Sequence, residues 1–259
     1  MSAPDPAAPE GKEQSFLSHL IELRTRLLRA VAAVFVVFLA LVPFANRLYS
    51  QLAQPLISRL PEGSSMVAID VITPFFTPLK MAFFSAIFIT VPFLLYQAWA
   101  FVAPGLYSHE KKLVLPLVIS STVLFFVGVA FCYFFVFGQV FKFIQSFAPK
   151  SITAAPDIEA YLSFVMTMFI AFGAAFEVPV VVVVLARMGL VSISKLREFR
   201  SYFIVVAFIV AAVITPPDVV SQLALAIPMC LLYEVGIWAA QVFIKHTQAP
   251  AEEGSGTPT

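Results

Sequence analysis

Charge is what this 259-residue chain has least of: Asp, Glu, Lys and Arg together make up 12% of it, about half of what a soluble domain carries. With 60% hydrophobic residues and 28 phenylalanines, no water-soluble core could absorb the apolar surface, so a soluble globular fold is excluded. The two cysteines, Cys132 and Cys230, both sit inside apolar runs and read as small buried hydrophobes, not as a disulfide or a metal pair. The three histidines, His19, His109 and His246, lie near membrane-surface segments without metal-ligand spacing. No Ser/His/Asp arrangement, HExxH, Walker loop or GxGxxG is present. An intramembrane enzyme needs a nucleophile with a base, or metal ligands, at membrane depth, and the sequence offers neither. The net charge of +1 says nothing about nucleic acid, but the chain has no Lys/Arg run of the kind that binds it, so no nucleic-acid partner is expected.

What is there is apolar length. A spanning helix needs roughly 20 apolar residues, and the chain reads as an all-α, six-span protein. The expected spans are 27–45, 73–102, 113–141, 161–186, 201–215 and 219–244, within a membrane domain of residues 16–245. Residues 1–15, which lack an h-region and a cleavage site, read as a tail and not as a signal peptide. Residues 246–259 read as a disordered end. Eleven of the sixteen Lys and Arg fall on the side that holds both termini, four on the other, and Lys80 lies within the second span. The positive-inside rule therefore puts both termini in the cytoplasm. Trp99, Tyr96 and Tyr107 fit an aromatic belt. No internal repeat supports an inverted-repeat transporter.

The last two spans are short. Residues 201–215 would reach only about 22 Å at 1.5 Å per residue. The sixth is apolar from Val219 to Leu232 and then meets Tyr233-Glu234. Such a pair either hides behind partner helices or thins the bilayer around it.

Few residues could carry chemistry. Glu177, in AFGAAFEVPVVVVVLAR, is an acid near mid-membrane, where an ionisable side chain faces a partner or a wet cavity. Lys80 is the nearest structural partner to suggest, and Pro179 allows a kink. Glu22 lies among Arg24, Arg26 and Arg29 at the start of the first span. A helical pair with Arg26, four residues on, accounts for it; so does capture of a cationic ligand. Glu110, beside Lys111 and Lys112 in the next cytoplasmic loop, poses the same choice. Two acids on one membrane face can hold two guanidinium groups, each bidentately. Asp218 is placed to cap the sixth helix; Gln222 has no such local explanation.

The blocks HLIELRTRLL, QPLISRLPEGS, FVAPGLYSHEKK, FGAAFEVPV and TPPDVVSQ, in this order from residue 19 to 222, resemble the TatC family, the multi-spanning subunit of the twin-arginine protein translocase, in its proteobacterial form. The resemblance implies a concave six-helix receptor in the inner membrane. It binds signal peptides with paired arginines and exports folded proteins on the protonmotive force, without cofactor or nucleotide. Carried over by motif, Glu22 and Glu110 would read the two arginines, and Arg24, Arg26, Phe101 and Leu106 would shape that patch. Pro55 would belong to an outer cap, and Glu177 would be the polar point of the intramembrane groove. Asp218 and Gln222 would lie where the single-span partners TatA and TatB dock, in a complex with several copies. Arg200-Ser201-Tyr202 departs from the family pattern, which places a second basic residue nearer the tyrosine. The competing function is a proton-coupled small-solute transporter with Glu177 as relay, helped by Lys80 and Glu234.

Overall fold

In the computed structural model, the described residues are 10–57, 68–102, 114–140, 142, 157–215 and 218–247. They divide into two compact units, one of residues 1–122 with 154–162, the other of 123–153 with 163–259.

In the first unit, α1 (Glu10–Leu41) is a single helix that carries residues 27–41 of the expected first span and starts inside the expected tail. It gives way to a 3₁₀ turn at Val42–Phe44, because Pro43 has no N–H to continue the α ladder. Helix α2 (Ala45–Ile57) follows, in the stretch between the expected first and second spans. Its polar residues Asn46, Arg47, Ser50 and Gln51 interrupt the apolar ones at helical spacing, which a hydropathy window averages away. Helix α3 (Thr73–Val102) holds Pro78 and Pro92 and matches the expected span at both ends. Thr90 donates its hydroxyl to the carbonyls of Ala86 and Ile87 at 2.7 and 3.0 Å, one turn below Pro92, a local bond that keeps a membrane-buried hydroxyl satisfied.

Trp99 departs from the belt expectation. It is buried, and its indole N–H donates to Ser121 Oγ at 2.9 Å. Tyr96 is exposed; Tyr107 lies outside the described residues. Lys80 pairs with Glu159, whose second carboxylate oxygen accepts from Thr73 at 3.1 Å.

Helix α4 (Val114–Phe131) continues through a π-helical turn at Cys132–Val136 to Val140. Helix α5 (Ile158–Ala175) opens on Asp157, whose side chain accepts from the Ala160 N–H at 3.2 Å. The second unit takes the chain from Val123 to Thr153 and again from Ser163 onward. The expected fourth span, Ile158–Arg187 here, is interrupted at Phe176–Glu177 and resumes as α6 (Val178–Arg187). Pro179 explains the break, since its ring cannot donate to the preceding turn. The Glu177 N–H bonds instead to the Ala174 carbonyl at 3.1 Å, a tighter i−3 turn.

After α6 come a positive-φ glycine, Gly189 (φ 68°), and a six-residue helix, α7 (Ile193–Glu198), capped by Ser192. Helix α8 (Arg200–Ile214) is short as expected, at 15 residues. Helix α9 (Val219–Thr247) runs 29 residues and contains the whole expected span 219–244. Tyr233 and Glu234 do not end it. Tyr233 is buried, donates its hydroxyl to the Leu196 carbonyl at 2.8 Å, and stacks on Phe203 at 4.1 Å. Glu234 accepts from Arg200 at 2.7 Å. Val182, Ala186, Leu196, Tyr233, Ile237 and Ala240 form a core between α6, α7 and α9. The described residues thus hold five helices long and apolar enough to cross a membrane, and α8 as a shorter apolar one.

Candidate functional site

The polar site of the first unit is built where α1 lies on α3. His19, Glu22 and Arg26 recur at three- and four-residue spacing and so share one face of α1. Gln97 and Phe101 are four apart on α3. Arg26 donates to a single carboxylate oxygen of Glu22, Oε1, through Nε at 2.8 Å and Nη2 at 2.6 Å. Its third nitrogen, Nη1, points at Gln97 Oε1 at 3.5 Å. The His19 ring stacks on Phe101, centroids 4.3 Å apart and 21° from coplanar. Of the two explanations left open for Glu22, the helical pair with Arg26 is the contact present. The carboxylate is nonetheless reachable, with 34% of its side chain exposed.

Arg24 is exposed on α1. Glu110 and Leu106 lie outside the described residues. Pro55 falls within α2, and its side chain is likewise outside them. Gln97 was not anticipated, although it had a signal: an amide in an otherwise apolar span, buried to 6% exposure, needs a polar partner across the helix interface.

In the second unit Glu177 is half-buried at the position preceding α6, where its side chain makes no cap bond. The segments on either side of it line an apolar groove of about 400 Å³, with Thr167, Ile170, Ala174 and Val178 on one wall and Val210 and Leu225 on the other. Asp218 caps α9: its Oδ1 accepts from the Ser221 N–H at 2.7 Å. Gln222 has a structural job as well, donating Nε2 to the Phe208 carbonyl of α8 at 3.4 Å. Of the ionisable groups named for a proton relay, Lys80 and Glu234 are each engaged in an ion pair. Among the described residues no group of three or more His, Cys, Asp or Glu could hold a metal ion.

Five apolar helices of spanning length and a shorter sixth among the described residues, with ion pairs at Glu22–Arg26, Lys80–Glu159 and Arg200–Glu234, define a multi-spanning membrane protein. The comparisons with known proteins narrow that class. Residues 18–228 match the family model described as Sec-independent protein translocase protein (TatC). The Sec-independent protein translocase protein TatC of Halothiobacillus neapolitanus is 54% identical over 238 residues, 92% of this chain and 65% of that protein, so the chain spans about two thirds of that relative's length. The corresponding protein of Escherichia coli K12 is 50% identical over 231 residues, 89% of this chain and 90% of that one. A crystal structure described as the twin arginine translocase receptor TatC superposes with a TM-score of 0.77 at 37% identity, covering 86% of this chain and 98% of that one. The chain belongs to the TatC family. It is accordingly a multi-pass protein of the bacterial inner membrane and not an enzyme.

Proposed function

We propose that the chain is the signal-peptide receptor of a Sec-independent, twin-arginine translocase, working with single-span TatA-like and TatB-like partners to export folded proteins on the protonmotive force. Family membership supports the class of function. The observation that supports the site is the Glu22–Arg26 contact, a carboxylate at a membrane face already engaging a guanidinium group through two nitrogens. An arginine of an incoming leader is the same chemical group. In this reading Glu22 and Glu110 each take one arginine, and Arg24, Arg26, Phe101 and Leu106 shape the patch. The His19–Phe101 stack adds a flat apolar wall to it. Pro55 belongs to the outer cap. Glu177 is the polar point beside the intramembrane groove, and Asp218 with Gln222 marks where partner subunits dock.

Replacing both Glu22 and Glu110 by Gln tests the assignment. A peptide with paired arginines should then lose most of its affinity for the purified chain, while its paired-lysine analogue, weak on the parent, changes little. Undiminished binding of the arginine peptide would refute the two roles.

A further inference from the structure

We propose that Arg26 is a built-in stand-in for the ligand's guanidinium group: it occupies Glu22 in the empty receptor, and Gln97 is the acceptor that receives it when a peptide arginine takes its place. The inference rests on the receptor reading above and adds to it how the site is kept closed and how it opens.

Three distances carry it. Arg26 holds Glu22 with Nε and Nη2, the two nitrogens of one edge of its fork, at 2.8 and 2.6 Å. Both fall on Oε1, so neither uses Oε2, the second oxygen of a carboxylate that can accept a bidentate guanidinium. An incoming arginine can therefore begin at Oε2 while Arg26 still holds Oε1. The third contact, Nη1 to Gln97 Oε1, is the longest at 3.5 Å and is the one with room to shorten. Arg26 retains only 21% of its side-chain exposure. A guanidinium displaced there without an acceptor would lose the hydrogen bonds that offset its burial. Gln97, itself buried to 6% exposure, supplies that acceptor without adding a charge that would compete for the ligand. The exchange breaks one carboxylate–guanidinium pair and forms another of the same kind, so no proton moves.

A stand-in of this type weakens binding of the true ligand by the strength of the contact it forms, and it filters ligands. A single ammonium, a point charge without the fork, replaces Arg26 less well than a guanidinium does. Selectivity for arginine over lysine would then come partly from the competitor inside the protein.

The test titrates a fluorescent paired-arginine peptide into the full-length chain in lipid nanodiscs. Arg26→Gln should tighten binding about two- to fivefold, the range that partly exposed ion pairs span. It should also narrow the preference over a paired-lysine peptide. Arg29→Gln removes the same charge from the same helix without touching Glu22, and its gain should be smaller. Gln97→Leu should weaken binding in the parent but not in the Arg26→Gln background, a dependence that a packing role for Gln97 does not produce. If Glu22→Gln leaves peptide affinity unchanged, the receptor reading fails and this proposal falls with it. If Glu22→Gln abolishes binding but Arg26→Gln gains no more than Arg29→Gln, the stand-in is refuted and the receptor reading survives. Should Gln97→Leu act equally in both backgrounds, the acceptor role is wrong.

Discussion

Gly236 on α9 is where the second unit is least forgiving. A methyl group placed there would lie 2.9 Å from Pro179 Cα and 3.0 Å from Val182 Cβ, both on α6. Neither atom is the end of a flexible side chain, so α6 and α9 must move apart by a few tenths of an ångström along the core they share. Overpacking of this kind costs typically about 1–3 kcal/mol. Gly→Ala inside a helix also gains up to about 1 kcal/mol of propensity, which blurs a single measurement. Gly138, near the end of the helical run that continues α4, supplies the reference, since its added methyl would meet no described atom within 4 Å. Gly138→Ala should be neutral or stabilising. Subtracting its effect from that of Gly236→Ala cancels the propensity gain and leaves the steric cost, about 1–3 kcal/mol. Unfolding in one detergent, followed by circular dichroism as denaturant is added, reads both. Equal stability of the two variants would show that α6 and α9 do not pack this closely, and the placement of Glu177 at the head of α6 would lose its support.

Three further outcomes follow from the contacts. Ser121→Ala leaves the buried Trp99 indole N–H without its acceptor and should cost about 1 kcal/mol, nearer the 0.6 kcal/mol average of membrane helix pairs if the indole finds another partner; the same unfolding assay decides. Asp218→Ala should cost about 1 kcal/mol by removing the cap of α9, and Asp218→Ser should restore it. If Asp218→Ser is stable yet captures TatA-like or TatB-like subunits poorly in co-purification, the carboxylate serves docking as well as capping. Helix α8, at 15 residues, covers about 22 Å of a hydrocarbon layer about 30 Å thick. Four leucines inserted before Thr215 add about 6 Å. Export in vesicles should fall while peptide binding holds, and unchanged export would mean that partner helices shield the deficit.

The spans were legible because a lipid core demands apolar length, and α3 shows it: residues 73–102 were bounded by sequence alone. Proline was read correctly as a weak point: Pro179 was expected to allow a kink, and the ladder is interrupted beside it at Phe176–Glu177, where the Glu177 N–H turns to the Ala174 carbonyl. Tyr233-Glu234 limits the uninterrupted apolar stretch of the sixth span but not the helix, which was bounded at 219–244 and runs to Thr247, because both side chains find partners, the Leu196 carbonyl and Arg200. Partners across helices are what a linear pattern does not contain. That is why Glu22 could be read two ways, why Glu159 was not named as the partner of Lys80, and why Gln97, one amide among apolar neighbours, was passed over. The identity of α1 and its acid was legible in HLIELRTRLL; the guanidinium occupying that acid was legible only as an alternative.

The central claim is that Glu22 and Glu110 each grip one arginine of a leader peptide. The direct measurement is a double-mutant cycle: each acid to Gln in the chain, each of the two arginines to Gln in the peptide, with affinities taken for all combinations at one salt concentration. The account predicts that each acid couples to one arginine by about 1 kcal/mol or more, with little cross-coupling. Additive losses throughout would contradict it.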